Sequence, residues 1–385
     1  MASLTEQRRS KRKRLAKIAG LSRARTSSIS ANMLQREVSM FLNSHAVQSV
    51  TLYTIWNKRL GAKEAMQRWK QRQLAPIVCS KVDRLPPEPI GWRPKERSTS
   101  GFRKICSLPS TLKMWHVLAN DLVRAQHHPR PHIGDWPGRE RGRDRQVRDI
   151  ANSIVAHDQW VVIADVRRAF QTVNVDALYE LPYLPQTLIR RAIDYRSLTF
   201  TGGIGGTPAW DVPSSLHDYL EMAPIGILEG SPASNALFSV LLDDLPDHLD
   251  EPIKVFVYCD NIVLLVPSET QAQQAAATLD AYFTVHRAGP FEVACECRSV
   301  LAGFDHLGYS IRHQLNGETI VDLAPRNWKK LNEQLSDPER STDDIKTWLG
   351  GSFGSLDQRR RNAWDHLIDG ATYHRQAKST SGVRQ

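Results

Sequence analysis

The segment Lys254 to Val266, KVFVYCDNIVLLV, restricts the fold of this chain more than any other stretch. Its apolar, β-branched runs predict two buried strands, Lys254 to Tyr258 and Ile262 to Val266, joined by the turn of a tight hairpin. Asp260 and Asn261 stand at that turn. A carboxylate buried there is costly unless a metal ion or a basic partner compensates it. The alternative is an ordinary hairpin in which these two side chains only make the turn.

A second carboxylate, Asp165, follows another apolar run. The segment Trp160 to Ala164, WVVIA, predicts a short strand that ends at Asp165, and VRRAFQTVNVDAL after it predicts a helix. An aspartate at the mouth of a buried strand is the expected partner of Asp260. The alternative is that Asp165 caps the helix that follows.

Composition favours a nucleic-acid partner. The chain has 385 residues, 41% of them hydrophobic, and a formal net charge of +10. A basic surface of that size is typical of proteins that bind nucleic acid or an anionic membrane. No apolar run approaches the roughly 20 residues that span a bilayer, and the N-terminus lacks a hydrophobic signal core. The five cysteines form no CxxC pair and no zinc spacing, so we expect free thiols in a reducing cytoplasm.

The first part of the chain is basic and then helical. Residues 1–30 hold nine Lys or Arg against one acid, Glu6, and predict a phosphate-binding arm that orders on nucleic acid. A solvated, disordered tail is the alternative. Residues 31–77 carry apolar groups at helical spacing and predict two or three helices. The four prolines between positions 86 and 94 predict a stiff connector that ends this helical region.

Two further basic segments are candidates for binding phosphates. Arg103, Lys104 and Lys113 lie close together in GFRKICSLPSTLK, where a helix is predicted to begin near Ser110, and could grip a triphosphate or a template backbone. Basic residues before a helix are common, so this signal is weak alone.

The second basic segment, GRERGRDRQVR, runs from Gly138 to Arg148. It predicts a flexible loop that touches phosphates and leads into a helix from Gln146 to His157. Its candidate nucleic-acid ligands are Arg139, Arg141 and Arg143.

A small-residue turn, GILEGSPASNAL at 226–237, opens directly into a predicted helix. Small residues such as Gly230 let a backbone approach a nucleotide or a base pair closely. The Gly-rich stretch TFTGGIGGTPAW before it does not resemble a phosphate loop, because no Gly-Lys-Ser/Thr ending or helix start flanks it.

These segments, in this order, resemble the reverse transcriptases, specifically the bacterial group of retron, group II intron and defence-associated enzymes. Arg103 to Lys113 resembles their fingers motif, and DVRRAF at 165–170 resembles their first palm motif. GILEGSPASNALF resembles their nucleotide loop, YCDN at 258–261 their Y-x-D-D hairpin, and HLGYSI at 306–311 their primer-grip strand. The resemblance covers about residues 95–320.

The resemblance implies an α+β fold, a right-hand polymerase with fingers, an antiparallel palm sheet packed on helices, and a helical thumb. The implied division is a basic arm (1–30), a helical extension with a proline-rich connector (31–94), fingers (95–160), a palm (161–320) with an insertion at 171–225, a thumb (321–375) and a tail (376–385).

The implied chemistry is two-metal nucleotidyl transfer. Asp165, Asp260 and the carbonyl of Val166 would bind two Mg²⁺ ions, with Mn²⁺ as the second candidate, and Asn261 replaces the last aspartate of the hairpin. The implied nucleotide-binding residues are Arg103, Lys104, Phe170, Glu229 and Gly230; the implied nucleic-acid-binding residues are Lys113, Arg139, Arg141, Arg143 and Tyr258.

The implied partners are an RNA template, which could be a dedicated structured non-coding RNA, a DNA product, dNTPs, and further copies of the chain or a partner protein. No membrane is implied. Glu229 stands where the family has glutamine, so its charge is expected to repel an incoming triphosphate unless Arg103 or a metal compensates. Two alternatives stay open: a degenerate palm that only binds nucleic acid, and an RNA-templated RNA polymerase.

Overall fold

The computed structural model describes residues 3–24, 28–74, 88–96, 102–136, 141–202, 222–250, 252–337, 339–356 and 361–370. These residues form helices and largely antiparallel sheets, which confirms the predicted α+β class. The chain divides into two compact units, each made of three segments. The first unit comprises Met1–Arg130, Arg168–Asp243 and Phe283–Glu292, and the second comprises Pro131–Arg167, Asp244–Tyr282 and Val293–Gln385.

The elements of the described residues are as follows. The strands are β1 (Ile90–Glu96), β2 (Phe102–Ser107), β3 (Trp160–Arg167), β4 (Phe200–Gly202), β5 (Lys254–Tyr258), β6 (Asn261–Val266), β7 (Glu292–Ser299), β8 (Phe304–His306), β9 (Tyr309–His313) and β10 (Thr319–Leu323). The longer helices are Leu4–Arg23, Ser28–Leu42, His45–Leu60, Ala62–Leu74, Ser110–Gln126, Arg143–Ser153, Ser234–Leu241, Glu269–Val285, Pro325–Ser336 and Thr342–Ser352. Shorter helical turns are Asp176–Tyr179, Gln186–Leu188, Ile189–Ile193, Tyr195–Ser197 and Leu245–His248, and residues 361–370 are also helical.

The N-terminal region corrects one prediction and confirms another. Residues 31–77 contain three helices, as their spacing predicts. The basic arm, expected to order only on nucleic acid, is instead the helix Leu4–Arg23. A capping box starts it, because Ser3 Oγ accepts from the Glu6 amide at 3.2 Å while Glu6 Oε2 accepts from the Ser3 amide at 2.6 Å.

The cations of this helix explain why it packs rather than stays free. Arg14 and Lys17 both reach the carboxylate of Glu37, at 3.1 Å and 2.7 Å, and the side chain of Glu37 is only 3% exposed. Lys11 pairs with Asp121 at 2.7 Å. A buried carboxylate needs such partners, so part of the charge that suggested a phosphate-binding arm serves the packing of the first unit.

A strand begins where a stiff connector was predicted. β1 occupies the middle of a three-stranded sheet in the order β2-β1-β4. Pro94 lies inside β1, opposite Lys104 of β2. The ladder to β4 covers only Ile90 to Trp92, so Pro94 removes no hydrogen bond on that side. A proline is tolerated in a strand under this condition, which sequence inspection could not reveal.

The second unit contains a four-stranded sheet in the order β5-β6-β3-β7 and a three-stranded sheet in the order β10-β9-β8. On one face of the larger sheet, Val161, Val263 and Leu265 belong to a buried apolar cluster. This cluster also includes side chains of the helix Arg143–Ser153, of β9 and of the C-terminal helices. Val162 and Leu264, which point to the other face, are buried as well. Packing on both faces fixes the register of β3 against β6, because a slip of one residue would exchange the side chains of the two faces.

Several predicted boundaries differ from the structure. β3 continues past Asp165 to Arg167, and a series of turns, not a helix, follows it. The helix predicted from Gln146 to His157 runs instead over Arg143–Ser153. β10 extends to Leu323, so the C-terminal helical region begins at Pro325 rather than at residue 321.

Asp144 joins three elements of the second unit. Its Oδ1 accepts from the Tyr309 hydroxyl at 2.7 Å, and its Oδ2 accepts from the Gly354 amide at 3.0 Å. Burial, followed by this hydrogen bond, raises the pKa of Tyr309 to about 12. The carboxylate therefore holds the helix Arg143–Ser153 to β9 and to the turn that contains Gly354.

We expect Gly354→Ala to lower the free energy of unfolding by about 1–3 kcal/mol, because its Cβ would lie 2.5 Å from Asp144 Oδ2 and break these hydrogen bonds. Gly350→Ala is the matched control. It has nothing within 4 Å of the added Cβ and lies inside a helix, so it should stabilise by about 0.5–1 kcal/mol. Urea unfolding of both variants measures the difference; equal effects would remove Asp144 from this role.

Among the described residues, no helix is both long and apolar enough to cross a membrane. The described cysteines, Cys106, Cys259, Cys295 and Cys297, are free thiols, as their spacing predicts.

Candidate active site

The tip of the β5–β6 hairpin forms the centre of the candidate site. Tyr258 and Asn261 are the last paired residues, so Cys259 and Asp260 make a two-residue loop. Cys259 has a φ of 57°, and the φ of Asp260 is not positive. This is the pattern of a type II′ turn, whose first position normally holds glycine. A non-glycine residue there is strained, which is common at functional sites.

Asp165 reaches this tip from the neighbouring strand. It is the register partner of Asn261 in the β3–β6 ladder, and the Val166 amide donates to the Asp260 carbonyl at 3.0 Å. This bond pattern makes Asp165 and Asn261 a non-hydrogen-bonded pair, in which Cα atoms lie about 4.5 Å apart and side chains are close. Tyr258, Asn261 and Asp165 thus form one row across three strands on one face of the sheet.

The side chains of the tip also contact one another. Asn261 Nδ2 donates to Asp260 Oδ1 at 3.0 Å. Asp260 and Asn261 are half-buried and Asp165 is exposed. The buried carboxylate expected at Asp260 is therefore only partly withdrawn from water. Asn261, expected to offer a neutral oxygen to a metal, uses its amide nitrogen to orient the Asp260 carboxylate and keeps its oxygen available.

A third carboxylate, Asp135, lies near the tip and was not predicted. The Val257 amide donates to the His132 carbonyl at 2.8 Å, and the Gly134 amide donates to the Val257 carbonyl at 2.7 Å. These bonds align residues 132–134 parallel to β5 and bring Asp135 beside Tyr258 and Cys259. Local sequence carries no signal for such a long-range pairing.

Burial and nearby negative charge together raise the pKa values of two side chains of the tip, the Tyr258 hydroxyl and the Cys259 thiol. Burial raises the pKa of Tyr258, and Asp135 adds to the effect while Arg143 opposes it. Burial raises the pKa of the Cys259 thiol well above its usual range, with Asp260 next in importance. Both groups therefore stay protonated at neutral pH, so neither adds a charge to the two aspartates.

Part of the predicted basic loop makes contacts within the protein. Arg139 lies outside the described residues. The Arg141 guanidinium donates to the Ile133 carbonyl, which fixes the segment that carries Asp135. Arg143 pairs with Asp144 at 3.1 Å and lies 5.5 Å from the centre of the Tyr309 ring. Both described arginines thus make contacts inside the second unit.

In the first unit, Arg103 and Lys104 point to opposite faces of β2. Arg103 is exposed. Lys104 is 5% exposed, its Nζ donates to the Met222 carbonyl at 2.8 Å, and it lies 5.4 Å from the centre of the Trp92 ring. Burial lowers the pKa of Lys104. Of this pair only Arg103 is open to solvent, so Arg103 is the better candidate for a triphosphate ligand.

The small-residue turn packs directly on β2. The Cys106 amide donates to the Glu229 carbonyl at 2.8 Å. Gly230 has a φ of +95°, and a Cβ there would lie 2.8 Å from the Cys106 carbonyl oxygen. Glycine is required at this close approach. The sequence therefore located the turn correctly, and its small residue meets strand backbone within the unit.

The Glu229 side chain does not extend into solvent. It is 8% exposed, and its carboxylate accepts from Gln171 Nε2 at 3.3 Å. Glu229 also acts on Cys106, whose pKa is raised to about 12, mainly by burial. The repulsion of a triphosphate expected from this charge is weakened, because the carboxylate is turned into the first unit.

Phe170 is fixed to the same turn. Its ring lies 5.6 Å from the Phe238 ring centre, and its carbonyl accepts from the Ile227 amide at 2.7 Å. Lys113 is half-buried and lines a cavity together with Gly230. The first unit thus gathers Arg103, Phe170, Gly230 and Lys113 around β2 and the turn, while the second unit gathers the two aspartates and Asn261.

The donor set of the tip suits a hard cation. Two carboxylates and an amide oxygen are all oxygen ligands, and Mg²⁺ in nucleotide-processing sites is bound by one or two carboxylates together with substrate phosphates and water. Within the described part of the chain, no group of three or more His, Cys, Asp or Glu side chains could hold a metal by itself. The residues present therefore fit Mg²⁺ that arrives with a phosphate ligand.

Comparisons with known proteins assign no family. No protein-family model matches the chain, and no curated protein matches it. A solved structure described as "In situ structures of the segmented genome and RNA polymerase complex inside a dsRNA virus" contains a chain with a TM-score of 0.48 and 10% identity to this one, over 92% of this chain and 33% of that chain. This chain thus spans about a third of the length of that one. Similarity at this level carries no argument about activity.

Proposed function

We propose that this protein is an RNA-directed DNA polymerase with the fingers, palm and thumb that its motifs imply. The observation that supports the proposal is the meeting of Asp165 with Asp260 and Asn261 across one β3–β6 pair. The two motifs lie far apart in the chain, and strand pairing brings Asp165 beside Asn261, the residue next to Asp260. An ordinary hairpin would not require a second carboxylate at this position.

Each residue of the tip has a role in nucleotidyl transfer. Asp165, Asp260 and the Val166 carbonyl would hold two Mg²⁺ ions, or Mn²⁺, which supply activation of the primer 3′-hydroxyl and charge neutralisation on the leaving pyrophosphate. Asn261 orients the Asp260 carboxylate through its amide. The bond from the 3′-oxygen to the α-phosphorus forms as the bond to pyrophosphate breaks. Arg103, exposed on β2, would neutralise triphosphate charge.

The proposed template is RNA, which could be a dedicated structured RNA in an anti-phage or retroelement setting, and the proposed product is DNA made from dNTPs. The experiment is to purify the protein with the nucleic acid it carries, add Mg²⁺ with dNTPs or with rNTPs, and sequence any product. A DNA product supports the proposal. An RNA product would favour an RNA-templated RNA polymerase.

One observation favours the second candidate, a palm that only binds nucleic acid. Asn261 gives the tip one carboxylate fewer than the Y-x-D-D pattern, and its amide already donates to Asp260. In this alternative the tip binds no metal. Isothermal titration calorimetry with Mg²⁺ and a nucleoside triphosphate separates the two functions. The polymerase should bind both through Asp165, so Asp165→Asn should weaken binding, whereas in a scaffold this substitution should have no effect on binding.

Phe170 should select the sugar of the incoming nucleotide. The resemblance places an aromatic ring under the ribose here, where it would clash with a 2′-hydroxyl, and the contact with Phe238 holds the ring in place. We expect Phe170→Ala to raise rNTP incorporation relative to dNTP by roughly 10- to 100-fold. Phe170→Tyr keeps the ring and should leave the ratio unchanged. Equal use of both sugars by the unmodified protein would contradict the DNA-polymerase proposal.

A further inference from the structure

A concave surface in the first unit collects positive charge. A cavity of about 620 Å³ opens between the helix His45–Leu60, strand β1 and the start of the helix Ser110–Gln126. Among the described residues that line it there is no aspartate or glutamate. A basic concave surface of this kind focuses the electrostatic potential and attracts anions. The cations that line it are Lys58, Arg59, Arg93 and Lys113.

These four cations differ from others in the same unit in their lack of carboxylate partners among the described residues. Lys11, Arg14 and Lys17 each form an ion pair. In the part of the chain that the structure describes, none of the four cavity cations makes an ion pair or a side-chain hydrogen bond. Like charges held around one cavity repel one another, so an anion bound among them would be stabilised by all four.

A helix end adds to this positive field. The helix Ser110–Gln126 has 17 residues, and its cap residue, Pro109, provides no side-chain hydrogen bond to the first turn. The amide groups of a first turn have no partner within the helix, and the helix dipole places partial positive charge there. Because Ser110 lines the cavity, this end of the helix contributes to the same surface as the four cations.

We propose that this cavity binds consecutive phosphate groups of a nucleic-acid strand without base preference. Its volume exceeds that of one phosphate, and its cations come from three separate elements, which suits a chain of phosphates better than a single ion. Arginine forks and lysine ammonium groups are the usual phosphate ligands. The aromatic side chain of the lining, Trp92, is 7% exposed and lies against Lys104, so it offers no free face for stacking a base.

Lys58 and Arg59 lie outside the segment that carries the motif resemblance, so this inference extends nucleic-acid binding to the N-terminal helices and does not depend on polymerase activity. The test uses the full chain and fluorescence anisotropy with a labelled 20-nucleotide RNA. The variants are K58Q/R59Q and the quadruple K58Q/R59Q/R93Q/K113Q. The matched control is R190Q/R191Q, which removes an adjacent, exposed cation pair on another helical segment of the same unit.

We expect the quadruple variant to weaken RNA binding about tenfold or more. It should also reduce the slope of log affinity against log salt by about 0.7 for each phosphate that the protein no longer neutralises, and K58Q/R59Q should show about half of that reduction. The control should change affinity by less than about twofold. Because the four side chains have no partners among the described residues, the melting temperatures should stay unchanged, and K58Q/R59Q preserves the test if the quadruple variant does not fold.

Two results would overturn the proposal. One is a salt slope that stays the same in both variants, or that falls equally in the control. The other is that inorganic triphosphate, at equal phosphate concentration, displaces the RNA from the unmodified protein but not from the quadruple variant. That result would make the cavity a site for a small polyphosphate. A failure of the polymerase proposal is distinguishable from a failure of this one. An absence of DNA synthesis would contradict the polymerase proposal and would not change the RNA affinities or salt slopes measured here.

Discussion

Asp260→Asn is expected to lower the rate of nucleotide incorporation by about 10³-fold or more, because it removes one of the two carboxylates proposed to hold the metal ions; Asp260 precedes Asn261, the register partner of Asp165. Asparagine keeps the size of the side chain and can still accept from the Asn261 amide, so the loop should keep its shape. Asp165→Asn should have an equal effect. The double variant should be no worse than either single one, because residues that act as a unit are not additive.

The measurement is primer extension with Mg²⁺ and dNTPs, alongside RNA binding and thermal unfolding of each variant. Asp305→Asn is the matched control, since Asp305 is an exposed carboxylate on strand β8 of the same unit, and it should leave synthesis unchanged. RNA affinity should change by less than about twofold in all of them. Synthesis that survives Asp260→Asn would place the chemistry outside this hairpin.

Asn261 offers a second test of the same site. Asn261→Asp would place two carboxylates side by side, where an amide now donates to Asp260 at 3.0 Å. Repulsion between them should lower the melting temperature without metal, and Mg²⁺ should restore it more than in the unmodified protein. Synthesis should be kept or increased, while Asn261→Ala should reduce it only partly. A melting temperature that does not respond to Mg²⁺ would count against metal at the tip.

The parts of this fold that the sequence predicts well are local. Hydrophobic period alone places the hairpin strands within one residue. It also predicts two or three helices over residues 31–77, where the structure has three. The pairing of Asp165 with Asn261 is not local, yet motif order anticipates it, because the resemblance supplies a topology that period cannot.

The roles that the sequence did not predict are those of residues whose partners are distant in sequence. The cations of the helix Leu4–Arg23 suggested a free arm. Their ion pairs with Glu37 and Asp121 show that several of them are paired inside the unit. Asp135 was missed because its position depends on the bond from Val257 to His132. In each case a tertiary contact decides the role of a residue whose own neighbourhood is typical of a loop or a tail.

The conformation of the small-residue turn at 226–233 and the position of Phe170 should depend on one glycine, Gly226. Gly226 has a φ of +69°, and a Cβ there would lie 2.2 Å from the Phe170 carbonyl oxygen and 2.7 Å from that of Gln171. Neither oxygen is the end of a flexible side chain, so the backbone itself must move. The Ile227 amide donates to the same Phe170 oxygen at 2.7 Å, and this bond would break with the movement.

We therefore expect Gly226→Ala to lower the free energy of unfolding by about 4 kcal/mol or more, since it combines backbone strain, a clash with two carbonyls and a broken hydrogen bond. Gly61→Ala is the matched control: its φ is +83° but nothing lies within 4 Å of the added Cβ, so only the strain of about 1–3 kcal/mol applies. Urea unfolding measures both. Equal decreases would mean that the turn can change its backbone conformation without moving Phe170. A larger decrease in Gly226→Ala, together with a weaker preference for dNTPs in the folded protein, would show that the close approach at Gly226, which only glycine permits, fixes the position of the Phe170 ring.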